Sequence, residues 1–283
     1  GTVLARAGLV APRRRRRHPA LGARAPLATD RPNQVWAADF MGEFRNGDGA
    51  YCYPLTVCDA HARYLLACRA LDSARQAGAR PVFARLFREY GLPEAIRTDN
   101  GNPFATDALG RLSRLAVWWL RLGIRPELSQ PSHPEQNGRH ERMHRDLKAE
   151  TARPPAADRR AQQRAFDRFR ATYNTERPHA ALGQGTPASR YAASPRACPS
   201  RLPPLAYPGH WEVRRVSRNG GIRWHNRWVN VSHVLGEEDV GLEPVAAGRW
   251  SLHFGPDLLG RFDERTLSVV ETYHWRLSPL NPG

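Results

Sequence analysis

Apolar and polar positions change period several times along the chain, and each change marks an element. Residues 34–41, 50–58 and 63–70 are short runs rich in β-branched, aromatic and small apolar side chains, separated by Asn46-Gly47-Asp48-Gly49 and by Asp59-Ala60-His61. Such spacing predicts three strands joined by tight turns, an antiparallel meander. Residues 73–90 then carry Val82, Phe83, Leu86 and Phe87 on one side, which predicts a helix interrupted near Pro81 and stopped by Gly91 and Pro93. A short apolar run at 94–98 predicts a strand that ends just before Asp99. Leu109, Leu112, Leu115, Trp119 and Leu122 repeat at helical spacing, so 106–122 reads as one amphipathic helix that packs on the core. Further along, the pattern predicts a strand at 124–128, a mobile polar loop at 129–137 and a helix at 138–151.

After Pro154-Pro155, the stretch 158–173 sets Ala161, Ala165, Phe166, Phe169 and Tyr173 against an arginine-rich opposite side, a helix that docks by one face. Prolines concentrate over 193–209, which reads as a stiff linker. Six short strand-like runs follow, at 211–216, 221–224, 227–231, 240–245, 250–254 and 258–262, predicting a small all-β barrel or sandwich. The division is therefore a basic arm at 1–33, an α/β core at 34–192, the linker at 193–209 and a small β-barrel at 210–283.

Charge narrows the class of partner. With 283 residues and a formal net charge of +16, the chain has enough length for two folded units and a strong demand for a polyanion. Nucleic acid is the natural candidate. Five adjacent arginines, Arg13, Arg14, Arg15, Arg16 and Arg17, cannot pack into a core and read as a tether along DNA phosphates. No apolar stretch approaches the ~20 residues of a membrane span. The cysteines Cys52, Cys58, Cys68 and Cys198 show no paired spacing, so they read as thiols packed in the core, without a zinc site or a disulfide framework.

Three acids stand in contexts that suit phosphoryl transfer: Asp39 in Trp36-Ala37-Ala38-Asp39-Phe40, Asp99 in Thr98-Asp99-Asn100-Gly101, and Glu141 in Asn137-Gly138-Arg139-His140-Glu141-Arg142. A carboxylate cage is what hard Mg²⁺ or Mn²⁺ prefers, and two such ions about 3.5–4 Å apart stabilise both oxygens of an in-line displacement at phosphorus. Asp39, among apolar neighbours, needs a partner to be buried as an anion, and a metal or a structural ion pair are the two readings. Asp59 reads as a turn-capping carboxylate, and Gly101 as the residue whose backbone freedom lets the chain turn sharply after Asp99. Of the 43 lysines and arginines only Lys148 is a lysine, and it shares a helix face with Glu141 and Arg145 at i, i+4 and i+7. His140 and His144 lack the glutamate placement of a zinc protease and read as DNA-facing or surface groups.

These motifs, with Ser132 to Lys148 and Tyr173 to Tyr191 in the same order, resemble the integrase-core (DDE) superfamily, specifically bacterial insertion-sequence transposases related to retroviral integrases. The resemblance implies a ribonuclease H-like core with a mixed five-stranded sheet and flanking helices, followed by a small SH3-like β domain. It implies metal-dependent DNA strand cleavage and strand transfer with Asp39, Asp99 and Glu141 holding two Mg²⁺ or Mn²⁺ ions. Lys148, Arg145, His144, Arg142 and Asn137 would lie on the DNA beside the site, and Arg223 and Arg227, near Trp224 and Trp228, would bind it from the β domain. Counted from Asp99, Glu135 fits the commoner family interval while Glu141 fits the local context, so Glu135 is the competing third acid. The implied partners are double-stranded DNA at element ends and target, and further copies of the chain. The implied place is a bacterial cytoplasm, associated with the nucleoid. Two alternatives share the residues: a ribonuclease H-like nuclease without strand transfer, and a catalytically inactive transposase-derived DNA-binding protein.

Overall fold

The computed structural model describes residues 27–129 and 134–270, with backbone only at 134–139. The meander forms as β1 (Val35–Phe40), β3 (Tyr51–Asp59) and β4 (Leu65–Leu71), with the two-residue β2 (Phe44–Arg45) continuing β1's edge beside the start of β3. β5 (Ala95–Thr98) pairs parallel to β1, and β6 (Arg125–Leu128) pairs parallel to β5. Because β2 shares an edge with β1, the six strands form a mixed sheet five ribbons wide, β4-β3-β1-β5-β6.

The sheet is covered on both faces. On one, Trp36, Ala38 and Ile96 pack against Phe83, Leu86 and Phe87 of α1 (Gln76–Tyr90) and Trp119 of α2 (Arg114–Arg121). Each such large apolar side chain contributes about 1.5–3 kcal/mol when taken fully out of water. On the other, Leu65 and Cys68 pack against Met143 and Leu147 of α3 (Pro134–Thr151) and Phe166, Phe169 and Tyr173 of α4 (Arg159–Thr175). Asp158 caps α4, accepting from the Ala161 N–H at 2.7 Å.

Three elements differ from expectation. α1 runs through Pro81, because the lost N–H costs one bond while the apolar face on either side stays continuous. The single helix expected over 106–122 is two pieces, a 3₁₀ turn at Leu109–Arg111 and α2, since Ser113 caps a new start by accepting from the Ala116 N–H at 3.1 Å. α3 begins at Pro134, inside the stretch expected to be loop.

The carboxyl-terminal third is antiparallel. β7 (Glu212–Arg215), β10 (Asp239–Ala246), β11 (Arg249–Phe254), β12 (Asp257–Asp263) and β13 (Ser268–Val270) form one sheet in the order β13-β12-β11-β10-β7, and β8 (Gly221–Trp224) with β9 (Arg227–Asn230) forms a hairpin. Its core does not close on itself. Leu109, Leu112, Ala116 and Val117 join Val216, Leu235, Val240 and Leu252 in one apolar cluster. α2 is therefore shared, with Trp119 turned to the α/β sheet and Val117 to the β unit. Arg121 adds an ion pair to Glu238 and donates to the Pro203 carbonyl at 2.7 Å. The expected stiff linker has no regular structure at its start yet is pinned down: Ser194 N–H bonds the Tyr90 carbonyl at 2.8 Å, and Arg196 donates to the carbonyls of Pro93 and Gly123 at 2.6 and 3.0 Å.

Candidate active site

β1 alternates. Trp36, Ala38 and Phe40 turn to the α1 side, which places Asp39 on the α3 side, opposite Thr56 in the β1/β3 register. The parallel pairing of Ala38 with Thr98 then brings Asp99, one residue past β5, to the same end of the sheet. Open α/β sheets present functional groups at this carboxyl end. Glu141 reaches it from the exposed side of α3.

The Asp39 carboxyl feels the charges of both other acids. Burial first, and then the charge of Asp99, push the Asp39 carboxyl up from 3.8 to about 7; Glu141 adds to the rise and the backbone N–H of Phe40 opposes it. Burial also raises Asp99, against the N–H of Gly101. Gly101 serves a different need from the one expected: it has no left-handed backbone, but a Cβ there would stand 2.9 Å from Asp99 Oδ2. Asn100 fixes the loop, donating to the Ser129 carbonyl at 2.8 Å and accepting from Arg111 at 2.7 Å. Phe104 is buried beneath it, against Phe40 and Trp119.

The surface reading of the two histidines is corrected by packing. His140 is buried, and the His144 side chain is 12% exposed, because residues 140, 143, 144 and 147 form the inward stripe of α3. Both Nε2 atoms lie 2.7 Å from Thr56 Oγ1, and that hydroxyl donates to the Asp39 carbonyl at 3.1 Å. Burial lowers His140 to about 4, and burial with the neighbouring imidazole lowers His144 to about 2, so both rings are neutral near pH 7. The 3.9 Å approach of His144 Nδ1 to Asp39 Oδ2 is accordingly not an ion pair. Thr56 had no signal in the sequence, since only the strand register puts it under Asp39.

Glu141, Arg142, Arg145 and Lys148 are exposed on α3. The side chains of Asn137 and Glu135, and all of His133 and Arg13 to Arg17, lie outside the described residues. Asp59 is fully buried and accepts from the N–H groups of Asn33, His61 and Ala62 at 2.6, 3.1 and 2.6 Å, a structural carboxylate. Between the sheet and α3 is a cavity of about 620 Å³ with Ala37, Cys58 and Met143 on its walls together with Arg63, Arg142 and His179, and none of the three acids lines it. On the β8–β9 hairpin Arg223, Arg227 and Trp228 are exposed, but Trp224 is buried, its indole N–H bonded to Glu264 Oε1 at 3.0 Å. The expected pair of stacking tryptophans is thus reduced to Trp228.

The donors suit a hard divalent ion in kind, being carboxylate oxygens whose mutual repulsion a cation would relieve. Among the described residues, no group of three or more His, Cys, Asp or Glu side chains is placed so that it could hold a metal ion. Nor does any helix among them have the length and apolarity to cross a membrane.

The family described as Integrase core domain matches residues 29–134, and a second family of the same description matches 122–187. An uncharacterised 31.7 kDa protein of insertion element IS407 from Burkholderia multivorans is 33% identical over 199 residues, 68% of this chain and 67% of that protein. The Gag-Pol polyprotein of feline leukemia virus is 29% identical over 118 residues, 42% of this chain but 6% of the polyprotein. The chain thus spans two thirds of the insertion-element relative and a small part of the viral one. The integrase catalytic core domain of HTLV-2, solved in complex with magnesium, is 14% identical, with a TM-score of 0.45 over 57% of this chain and 98% of that one.

Proposed function

The chain belongs to the integrase-core superfamily as a bacterial insertion-element transposase, and from that premise we propose that it cuts DNA at an element end and joins the freed end to target DNA. One observation carries the proposal: the charges of Asp99 and Glu141, 60 and 102 positions along the chain from Asp39, both act on the Asp39 carboxyl. Structural acids are instead matched with donors, as Asp59 is.

In this reading Asp39, Asp99 and Glu141 would hold two Mg²⁺ or Mn²⁺ ions, which would supply positive charge to the reacting phosphodiester. Water attacks a phosphodiester, one P–O bond forming as the bond to the 3′ oxygen breaks. The 3′-hydroxyl so released attacks a target phosphodiester in the same site, again exchanging one P–O bond for another. The Thr98–Asn100 turn holds the Asp99 carboxylate against the Gly101 N–H, and the exposed face of α3 sets Arg142, Arg145 and Lys148 on DNA phosphates. The basic rim of the cavity and the tether Arg13 to Arg17 extend that track. In this reading the antiparallel unit at 210–270 plays the part of the SH3-like DNA-binding domain, its exposed Arg223, Arg227 and Trp228 gripping the duplex, and synapsis of two ends requires more than one copy of the chain.

The test is incubation of the full chain with labelled duplex and Mn²⁺ or Mg²⁺, beside Asp39→Asn. Metal-dependent joining to a second duplex, lost in the variant, is expected. Nicking of cognate ends without any joining would overturn the strand-transfer step, and tight binding without cleavage would overturn the enzyme.

A further inference from the structure

The turn between the Asp99 loop and α2 is built against the preference of one of its own residues. Gly110 has φ +65° and Arg111 φ +56°, two successive left-handed residues of which only the first is a glycine. A side chain in that region crowds the neighbouring carbonyl and persists where the surroundings over-determine it. Two sets of contacts do so here. Leu109 and Leu112, on either side of the pair, are buried in the apolar cluster of the β unit, and the turn packs against β12, which brings Leu259 and Phe262 to that cluster. Hydrogen bonds close the turn from within: the Arg111 N–H donates to the Ala108 carbonyl at 2.7 Å, the Thr106 N–H to the Arg111 carbonyl at 3.2 Å, and the Thr106 hydroxyl to the Leu112 carbonyl.

With the backbone so turned, the Arg111 guanidinium lies on the residue next to Asp99. Its Nη1 donates to Asn100 Oδ1 at 2.7 Å and its Nη2 to the Asn100 carbonyl at 3.4 Å. One planar fork thus takes both oxygens of Asn100, a contact that a single-point cation cannot reproduce. From this juxtaposition we infer that Arg111 is a positioning residue for Asp99, acting through Asn100, and that docking of the β unit on Leu109 and Leu112 is what holds it in place. The inference rests on the proposed strand-cleavage reading and deepens it: the unit proposed to grip DNA also sets the geometry of one acid, so that loosening the β unit slackens the Asp99 loop.

The test is Arg111→Gly in the full chain, because glycine suits the left-handed backbone and removes only the guanidinium. Tm should hold or rise, whereas a residue needed only for stability would lower it. Cleavage at saturating DNA and metal should fall at least about tenfold with DNA affinity unchanged, the signature of a misplaced acid. Hydrogen exchange in chelator gives a readout independent of activity: the bonded amides of Phe104 and Ala105 should exchange about tenfold faster while those of β1 and β3 do not change. Leu109→Ala, which touches the β unit and not the acids, should speed the same amides, and the two changes together should cost little more than the larger alone. Leu259→Ala probes the cluster from the β12 side if Leu109→Ala does not fold. Wild-type exchange in Arg111→Gly overturns the clamp. Faster exchange in Arg111→Gly with none in either cluster variant overturns the part given to the β unit. A wild-type chain that does not cleave overturns the strand-cleavage reading, and exchange in chelator still decides whether Arg111 holds the loop.

Discussion

Replacing Asp39 by Asn should stabilise the metal-free protein, and only at the pH where the carboxylate is charged. In the folded chain Asp39 titrates at about 7 against 3.8 for an ordinary Asp side chain. Below 3.8 both states carry the proton; as pH rises, the unfolded chain ionises first, and stability is lost progressively until the folded group ionises through about 7. A rise of about three units at 1.36 kcal/mol each is about 4 kcal/mol, and solvent reaching a side chain that is 33% exposed reduces this to about 2 kcal/mol. Urea unfolding in chelator is the assay, at pH 5 and pH 8. At pH 5, where the unfolded carboxyl has already ionised, the amide should lead by less than half of the full difference, with parity reached only below about 3.8. At pH 8 Asp39→Asn should be firmer by about 2 kcal/mol, about 4–8 °C in Tm for a unit of this size. Mn²⁺ should then stabilise the wild type and leave the variant unmoved. A variant that is weaker than wild type at pH 8 in chelator would refute the reasoning, because Asp39 would then be a satisfied structural anion.

Three further outcomes follow from the geometry. Gly101→Ala places a methyl group 2.9 Å from Asp99 Oδ2 without demanding an unusual backbone, so nicking should fall at least about tenfold while Tm changes little; a wild-type rate would show that the carboxylate is not held there. Val117→Asp buries an unpaired carboxylate in the cluster shared by α2 and the β unit, at a cost of several kcal/mol, and should speed proteolysis within 193–209; unchanged protection would place that cluster elsewhere. Glu141→Gln should abolish cleavage and Glu135→Gln should spare it; loss of activity in the second variant alone would reassign the third acid.

The strands and helices were largely legible because one face of each is apolar: Trp36, Ala38 and Phe40 mark β1, and Phe166, Phe169 and Tyr173 mark α4. Where reading and structure part, a local preference met a tertiary one. Ser113 splits the apolar repeat of 106–122 because its hydroxyl caps α2, and the same repeat serves two cores, Trp119 in one and Val117 in the other. Periodicity reports that a face is buried and says nothing of what buries it. Trp224 looks like Trp228 in the sequence, and only its pairing with Glu264 and its contact with Phe262 separate the core ring from the exposed one. His140 and His144 look polar and external, whereas i, i+4 spacing with Met143 and Leu147 makes them the inner stripe of α3.

Charge composition gives the acids their meaning. The chain has 43 lysines and arginines to 27 aspartates and glutamates, so an unmatched acid must be kept away from abundant cations. Several described arginines are paired elsewhere: Arg177 with Asp146 and Glu150, Arg97 with Glu127, Arg121 with Glu238. What surrounds the Asp39 carboxyl is a second acid, a third acid, a backbone N–H and a neutral imidazole. An arginine in the place of His144 would pair with Asp39, bring its pKa down and satisfy the anion permanently. A neutral ring held by Thr56 does the opposite: it fills the space and brings no cation to the carboxylate. That choice makes no sense for a structural aspartate, which folding would have supplied with donors as it supplied Asp59. It makes sense for a group whose compensating charge arrives from outside the chain.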